Sequence, residues 1–142
     1  MSLKKNQDKN MKKVQNYLNK LKIPFKLDEM GRVQIGWKIQ DGVYITSISI
    51  FENFLSIYAT IMLREELKGA DLKGIYELLL RASHDIPEVV FELDKDGNIA
   101  TSQEIPLDAL NFKVFKSELN AIPGAIVCFL DNIVPEFGLK VK

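Results

Sequence analysis

The sequence predicts an α+β protein in which helices gather mainly on one face of an antiparallel sheet, in the order α-βββ-α-ββ-α. Three observations predict it. Val33, Ile35, Trp37 and Ile39 alternate strictly with polar or small residues, the pattern of a strand with one buried face. Asp41-Gly42 and Asp96-Gly97 each stand between two β-like runs, where glycine accepts positive φ at little cost and closes a hairpin. Phe112, Phe115, Leu119, Ile122, Ile126, Leu130, Ile133 and Phe137 recur at steps of three or four, which draws the apolar stripe of a long helix.

The elements follow in chain order. Residues 1–10 are basic and polar and read as a flexible tail, after which Met11, Val14, Leu18 and Leu21 mark a first helix that Pro24 ends. Phe25 to Leu27 is a short extended piece, and Asp28 to Gly31 is a polar turn. The alternating strand then turns at Asp41-Gly42 into a second strand, Val43 to Ile50. Glu52-Asn53 is the next turn, and Phe54 to Leu63 completes a three-stranded meander. Charges and glycine over Arg64 to Ala70 break the pattern. Asp71 is placed as the N-cap of a helix carrying Leu72, Ile75, Tyr76 and Leu79, which ends near Ser83. Glu88 to Leu93 reads as a strand, and the more polar Asn98 to Ile105 as an exposed or edge strand of the same hairpin. Pro123-Gly124 interrupts the last helix and predicts either a break or a kink, with the unbroken stripe favouring a kink.

At 142 residues the chain suits one domain over 1–142, and 46% hydrophobic with 27% charged residues is the balance of an ordinary globular protein. The 19 basic and 19 acidic residues cancel, so no global field draws the protein to nucleic acid or to an anionic membrane. The longest apolar run, Ala125 to Leu130, is too short to span a bilayer, and Met1 to Asn10 lacks the apolar core of an export signal. A cytoplasmic location is the expectation. Cys128, the single cysteine, has no partner for an internal disulfide and sits among apolar neighbours as a small core residue.

Chemistry-bearing patterns are sparse. Phosphate-cradling and dinucleotide glycine loops, the paired-histidine zinc helix and the nucleophile elbow are all absent from the sequence. One histidine and one cysteine cannot assemble a zinc site of the usual nitrogen and sulfur type. Ser83-His84-Asp85 contains the residue types of a hydrolase triad, but consecutive side chains diverge, and a histidine at a helix end has a simpler role on the last carbonyls. The segment Glu92 to Gln103 has alternating oxygen side chains like a calcium loop, yet begins with Glu and ends with Gln where Asp and a bidentate Glu are needed; a plain hairpin is the better reading. The lysines from Lys4 to Lys22 form a solvated helix face. No catalytic residue, metal site or cofactor is expected, and the rival reading is a small-molecule or metal-dependent enzyme whose site is assembled from scattered carboxylates such as Glu92, Asp94 and Asp96. A subunit of a larger regulatory complex is a third.

The functional signal lies in the third strand of the meander. Leu55, Ile57, Ala59, Ile61 and Leu63 fall on one face, while Phe54, Tyr58 and Met62 fall on the other with only Ser56 and Thr60 to wet it. Helices of the same chain cover one face, and a second copy or a client polypeptide is the expected cover for the other. Tyr44, Phe54, Tyr58 and Met62 are the expected partner-binding or dimer surface.

The order of elements, the strand with Gly36-Trp37, the segment Glu88-Val89-Val90-Phe91-Glu92-Leu93-Asp94 with its turn Asp96-Gly97, and the long final helix together resemble the YbjN family. That family has a fold similar to the type III secretion chaperones. The resemblance covers roughly Met11 to Phe137 and implies a non-enzymatic, chaperone-like protein, often a homodimer, tied to regulation, stress response or protein binding; it carries over no catalytic residue. Secretion chaperones look markedly acidic. The balanced charge of this chain therefore argues against a place in an injection apparatus.

Overall fold

The structure, a computed structural model, describes residues 3–141. Helix α1 spans Leu3–Lys20 and buries Val14 and Leu18 one turn apart. It runs back through residues 3–10, for which the sequence predicts a flexible tail. Lysine and glutamine are good helix formers, and the Gln7 amide donates to the carbonyl of Ile50 at 3.4 Å. At the other end Lys22 takes a left-handed φ of 59°. Ile23 N–H donates to Leu18 C=O at 3.0 Å and Lys22 N–H to Asn19 C=O at 3.1 Å, so the helix is closed before Pro24 is reached.

The sheet has six strands, β1 (Lys26–Leu27), β2 (Val33–Ile39), β3 (Gly42–Ile50), β4 (Phe54–Met62), β5 (Phe91–Leu93) and β6 (Ile99–Pro106). Their order is β1-β2-β3-β4-β6-β5, and every pairing is antiparallel. β6, expected to be exposed or at an edge, lies inside the sheet between β4 and β5. Its polar residues mark an uncovered face, because exposed Glu104 alternates with buried Thr101 and Ile105. β5 is shorter than the predicted Glu88 to Leu93, since Glu88 has a φ of 66° and leaves the extended region. The first hairpin turn also moves: Ile39 pairs with Gly42, so Gln40 and Asp41 make the turn, with Gln40 at a φ of 53°. Gly42 instead opens β3, where an added Cβ would stand 3.2 Å from the Tyr44 ring. The second turn keeps its glycine in place, with Gly97 at a φ of 83° and its N–H on Asp94 C=O at 3.0 Å.

Helix α2 (Leu72–Asp85) begins where the sequence places it, with the Asp71 carboxylate accepting the N–H of Gly74 at 3.1 Å. Ser83 ties α2 to β5: its hydroxyl donates to Leu79 C=O and accepts the N–H of Phe91, both at 3.0 Å. Helix α3 (Phe112–Cys128) starts on Asn111, which accepts the N–H of Val114 at 2.9 Å. Of the two outcomes predicted at Pro123, the less favoured break does not occur; α3 runs through it, widens into a π turn over Phe129–Ile133, and finishes with the turn Val134–Phe137. This continuous Phe112–Phe137 helix is long and apolar enough by composition to cross a membrane, but Phe115, Leu119, Ile122, Ile126, Phe129 and Ile133 are buried in the core. Packing on the sheet accounts for its apolar stripe. Its last turn meets α2 at Gly74, where a Cβ would lie 2.9 Å from the Phe137 ring.

Direct pairing in register puts Ile35, Thr46, Ala59, Thr101 and Phe91 in one row across five strands, and every member is buried. Val33, Ile48 and Ile57 form a parallel buried row, as do Ile50, Leu55 and Ile105 except for half-buried Ile50. These rows face the helices.

Candidate functional site: the uncovered sheet face and its cleft

The residues between those rows point the other way. Gln34, Ser47, Tyr58 and Ser102 form the central row of the second face, and none of them is buried. Ser47 donates its hydroxyl to the Gln34 amide oxygen at 2.8 Å, which satisfies two polar side chains without a partner from outside the sheet. Ser49, Ser56 and Glu104 continue the face on one side. On the other, Val43 and Ile45 stand out from β3 at 66% and 51% exposure. The face is polar in the middle and apolar toward this end.

The apolar end is also where the strands part. Pairing of β3 with β4 stops at Thr46 and Ala59, and the register of β4 against β6 shifts between Thr60 and Met62. The extra residue of such a bulge turns the strand and frees its end from the ladder. A cleft of about 450 Å³ opens there, lined by Val43, Tyr44 and Ile45 from β3, Ile61 and Met62 from β4, and Glu66 from the following turn. The Glu66 carboxylate accepts the N–H of Leu63 at 2.9 Å, which fixes it at the cleft wall.

The four sequence-predicted residues separate into two pairs. Phe54 and Tyr58 lie half-buried on the uncovered face, and Phe54 stacks on Phe51 with ring centres 4.8 Å apart. Tyr44 and Met62 leave the open face, being 8% and 2% exposed, but both line the cleft, as does Tyr58. Tyr44 pairs with Trp37 and so shares the covered face of Val33 and Ile35. Met62 would have followed Tyr58, but the bulge moves it into register with Ile99 on the covered side. The residues missed by the sequence reading are Val43 and Ile45. Any two-residue turn after Ile39 puts Tyr44 opposite an inward residue of β2, so their outward placement was available from alternation alone.

Two titratable groups border the face. Burial, and then the negative charge of Glu66, hold the Tyr44 phenol above its ordinary value. Tyr58 is raised as well, by burial first, with Asp94 and Glu92 adding to it against a lowering hydrogen bond from Thr60. Its hydroxyl donates to Asp94 Oδ2 at 3.4 Å. Asp94 itself is lowered, chiefly by the N–H of Asn98 at 2.9 Å, with the N–H of Asp96 at 2.8 Å and the Asn98 amide at 2.9 Å adding to it. The Glu92, Asp94 and Asp96 segment is thus a hairpin whose central carboxylate is taken up by its own turn. Among the described residues no three His, Cys, Asp or Glu side chains are grouped to hold a metal ion.

No protein-family model matches the sequence, and no curated protein matches it. Solved structures do. YbjN from E. coli superposes with a TM-score of 0.65 at 13% identity, over 90% of this chain and 93% of that one. A chain of the ExsC-ExsE complex gives 0.65 at 16% identity, over 89% and 94%. A chain of the complex between the Yersinia pestis type III secretion chaperone SycH and a stable fragment of YscM2 gives 0.54 at 18% identity, over 80% and 93%. At such identities the likeness is one of architecture, and the protein has a YbjN-like, type III secretion chaperone-like fold.

Proposed function

We propose that the protein is a non-enzymatic, chaperone-like binding module of the cytoplasm that holds a segment of a partner polypeptide, or a second copy of itself, on the uncovered face of its sheet. The observation that carries this reading is the pair Val43 and Ile45, exposed side by side at the mouth of the β3–β4 cleft on the face that the helices leave free. Phe51 and Phe54 form a second, aromatic patch at the opposite end of the same face, with Tyr58 among the polar rows between. Aromatic and aliphatic anchors beside a polar field suit recognition of an extended chain, with pockets for alternate side chains and polar groups to set its direction. The fold adds support, because ExsC-ExsE and SycH with its YscM2 fragment were solved as complexes with a polypeptide partner.

Light scattering after size exclusion, together with an array of unstructured peptides, tests the reading. Peptides rich in aromatic and aliphatic residues bind the protein and lose at least about tenfold in affinity to Ile45→Asp, an exposed change that leaves thermal unfolding in place. A dimer that Ile45→Asp dissociates assigns the face to a second copy. A monomer that binds no peptide overturns the proposal.

A further inference from the structure

The helix that begins at Phe112 ends on Gly138, whose left-handed φ of 61° reverses the chain. Leu139 N–H closes on Val134 C=O at 3.0 Å and Gly138 N–H on Pro135 C=O at 3.4 Å, so the helix end itself sets the direction in which the chain leaves. Leu139 then packs against the core, and Val141 reaches the wall of the β3–β4 cleft, beside Val43, Tyr44, Ile61 and Glu66. Val141 remains 43% exposed, so this part of the cleft wall is only lightly packed. Lys140 precedes it with the charge opposite to that of Glu66.

We propose that the segment from Gly138 to Val141 is a strap: a weakly held part of the cleft wall that a partner must displace. The strap's position is independent of what binds, whereas its role as a competitor rests on the polypeptide-binding reading above. A partly exposed valine gains only part of the burial energy of a core side chain, so the contact is weak enough to open. Competition follows from mass balance. If the strap is closed in half to nine-tenths of molecules, releasing it raises partner affinity by about two- to tenfold.

Val141→Asp in the full chain releases the strap without touching a helix or strand. Methyl resonances of Ile45, Ile61, Met62 and Leu63 shift in this variant, while those of Leu55 and Ile105 stay in place. A synthetic peptide covering residues 134–142, added to the variant, moves the same resonances back. Peptides selected on the wild-type protein bind Val141→Asp about two- to tenfold more tightly. Unmoved methyls at the cleft overturn the strap, whatever the binding assays give. Moved methyls with unchanged peptide affinity overturn its role as a competitor. Moved methyls in a protein that binds no polypeptide in either form keep the strap and remove the polypeptide-binding reading instead.

Discussion

Ile57 and Tyr58 are neighbours on β4 and belong to opposite economies of the same sheet. Ile57 is fully buried between Ile48 and the helices, whereas Tyr58 sits half-exposed between Ser47 and Ser102. The backbone hydrogen bonds are shared by both faces, so the difference lies in the side chains and in what covers them. On one face, rows such as Ile35, Thr46, Ala59, Thr101 and Phe91 remove apolar area from water and stabilise the fold. The other face is polar through Gln34, Ser47 and Ser102 and contributes little to that burial, and its apolar end at Val43 and Ile45 stays exposed. Matched truncations measure the contrast. Ile57→Ala loses about 2–5 kcal/mol, because a cavity is added to the lost transfer energy. Ile45→Ala stays within about 0.5 kcal/mol. Urea midpoints read both, and equal losses would mean that the exposed end is part of the core.

A finer contrast exists within the covered face. Thr46 and Thr101 flank Ala59 in one row, and both are completely buried. The hydroxyl oxygen of Thr46 accepts the Trp37 indole N–H at 2.8 Å. That of Thr101 has no hydrogen-bond partner among the described residues. Valine keeps the shape of threonine and removes the hydroxyl, so the two substitutions carry opposite signs. Thr46→Val strands the indole N–H and costs about 1 kcal/mol. Thr101→Val removes a buried polar atom that gains nothing from burial and stabilises by about 1 kcal/mol. Chemical denaturation of the two variants under one buffer separates them. A loss in Thr101→Val would reveal a partner for that hydroxyl.

The sequence made the elements legible because each is written in local terms: alternation in β2, the Asp71 cap of α2, the three-and-four stripe of α3. Strand order was less accessible. The insertion of β6 beside β4 is a long-range pairing, and its Ser102 and Glu104 read equally well as an edge or as an uncovered face. The site was half legible. Phe54 and Tyr58 obey simple alternation from the buried Leu55 and Ile57, and they sit where alternation puts them. Met62 does not, because a bulge inserts one residue and swaps faces, and nothing in Thr60-Ile61-Met62 announces it. Tyr44 lines the cleft from the covered side, while Val43 and Ile45 on either side of it carry the exposure.

The smallest effect distinguishes the two tyrosines at the borders of the cleft. Asp28 and Asp94 do the same work in two turns. Asp28 accepts the N–H groups of Met30 and Arg32 at 2.9 Å, and these bonds with the Arg32 side chain outweigh the raising effect of burial and hold its carboxyl low. Asp94 differs in also receiving the Tyr58 hydroxyl. A carboxyl lowered on folding stabilises the protein above its unfolded value near 3.8, and that stability disappears as pH falls through the lower folded value. Asp94→Asn removes this titration, so acid unfolding becomes less steep below about pH 4 while the contribution of Asp28 persists. The same change takes a negative charge from Tyr58. Its phenol therefore titrates at lower pH in the variant, and Tyr44, raised by burial and Glu66 without Asp94, does not move. Ultraviolet titration of Asp94→Asn against the same change in a Tyr44→Phe background resolves the two phenols. If Tyr44 moves and Tyr58 does not, the hairpin carboxylate acts on the cleft rather than on the central row, and the division of the face into a polar middle and an apolar end is wrong.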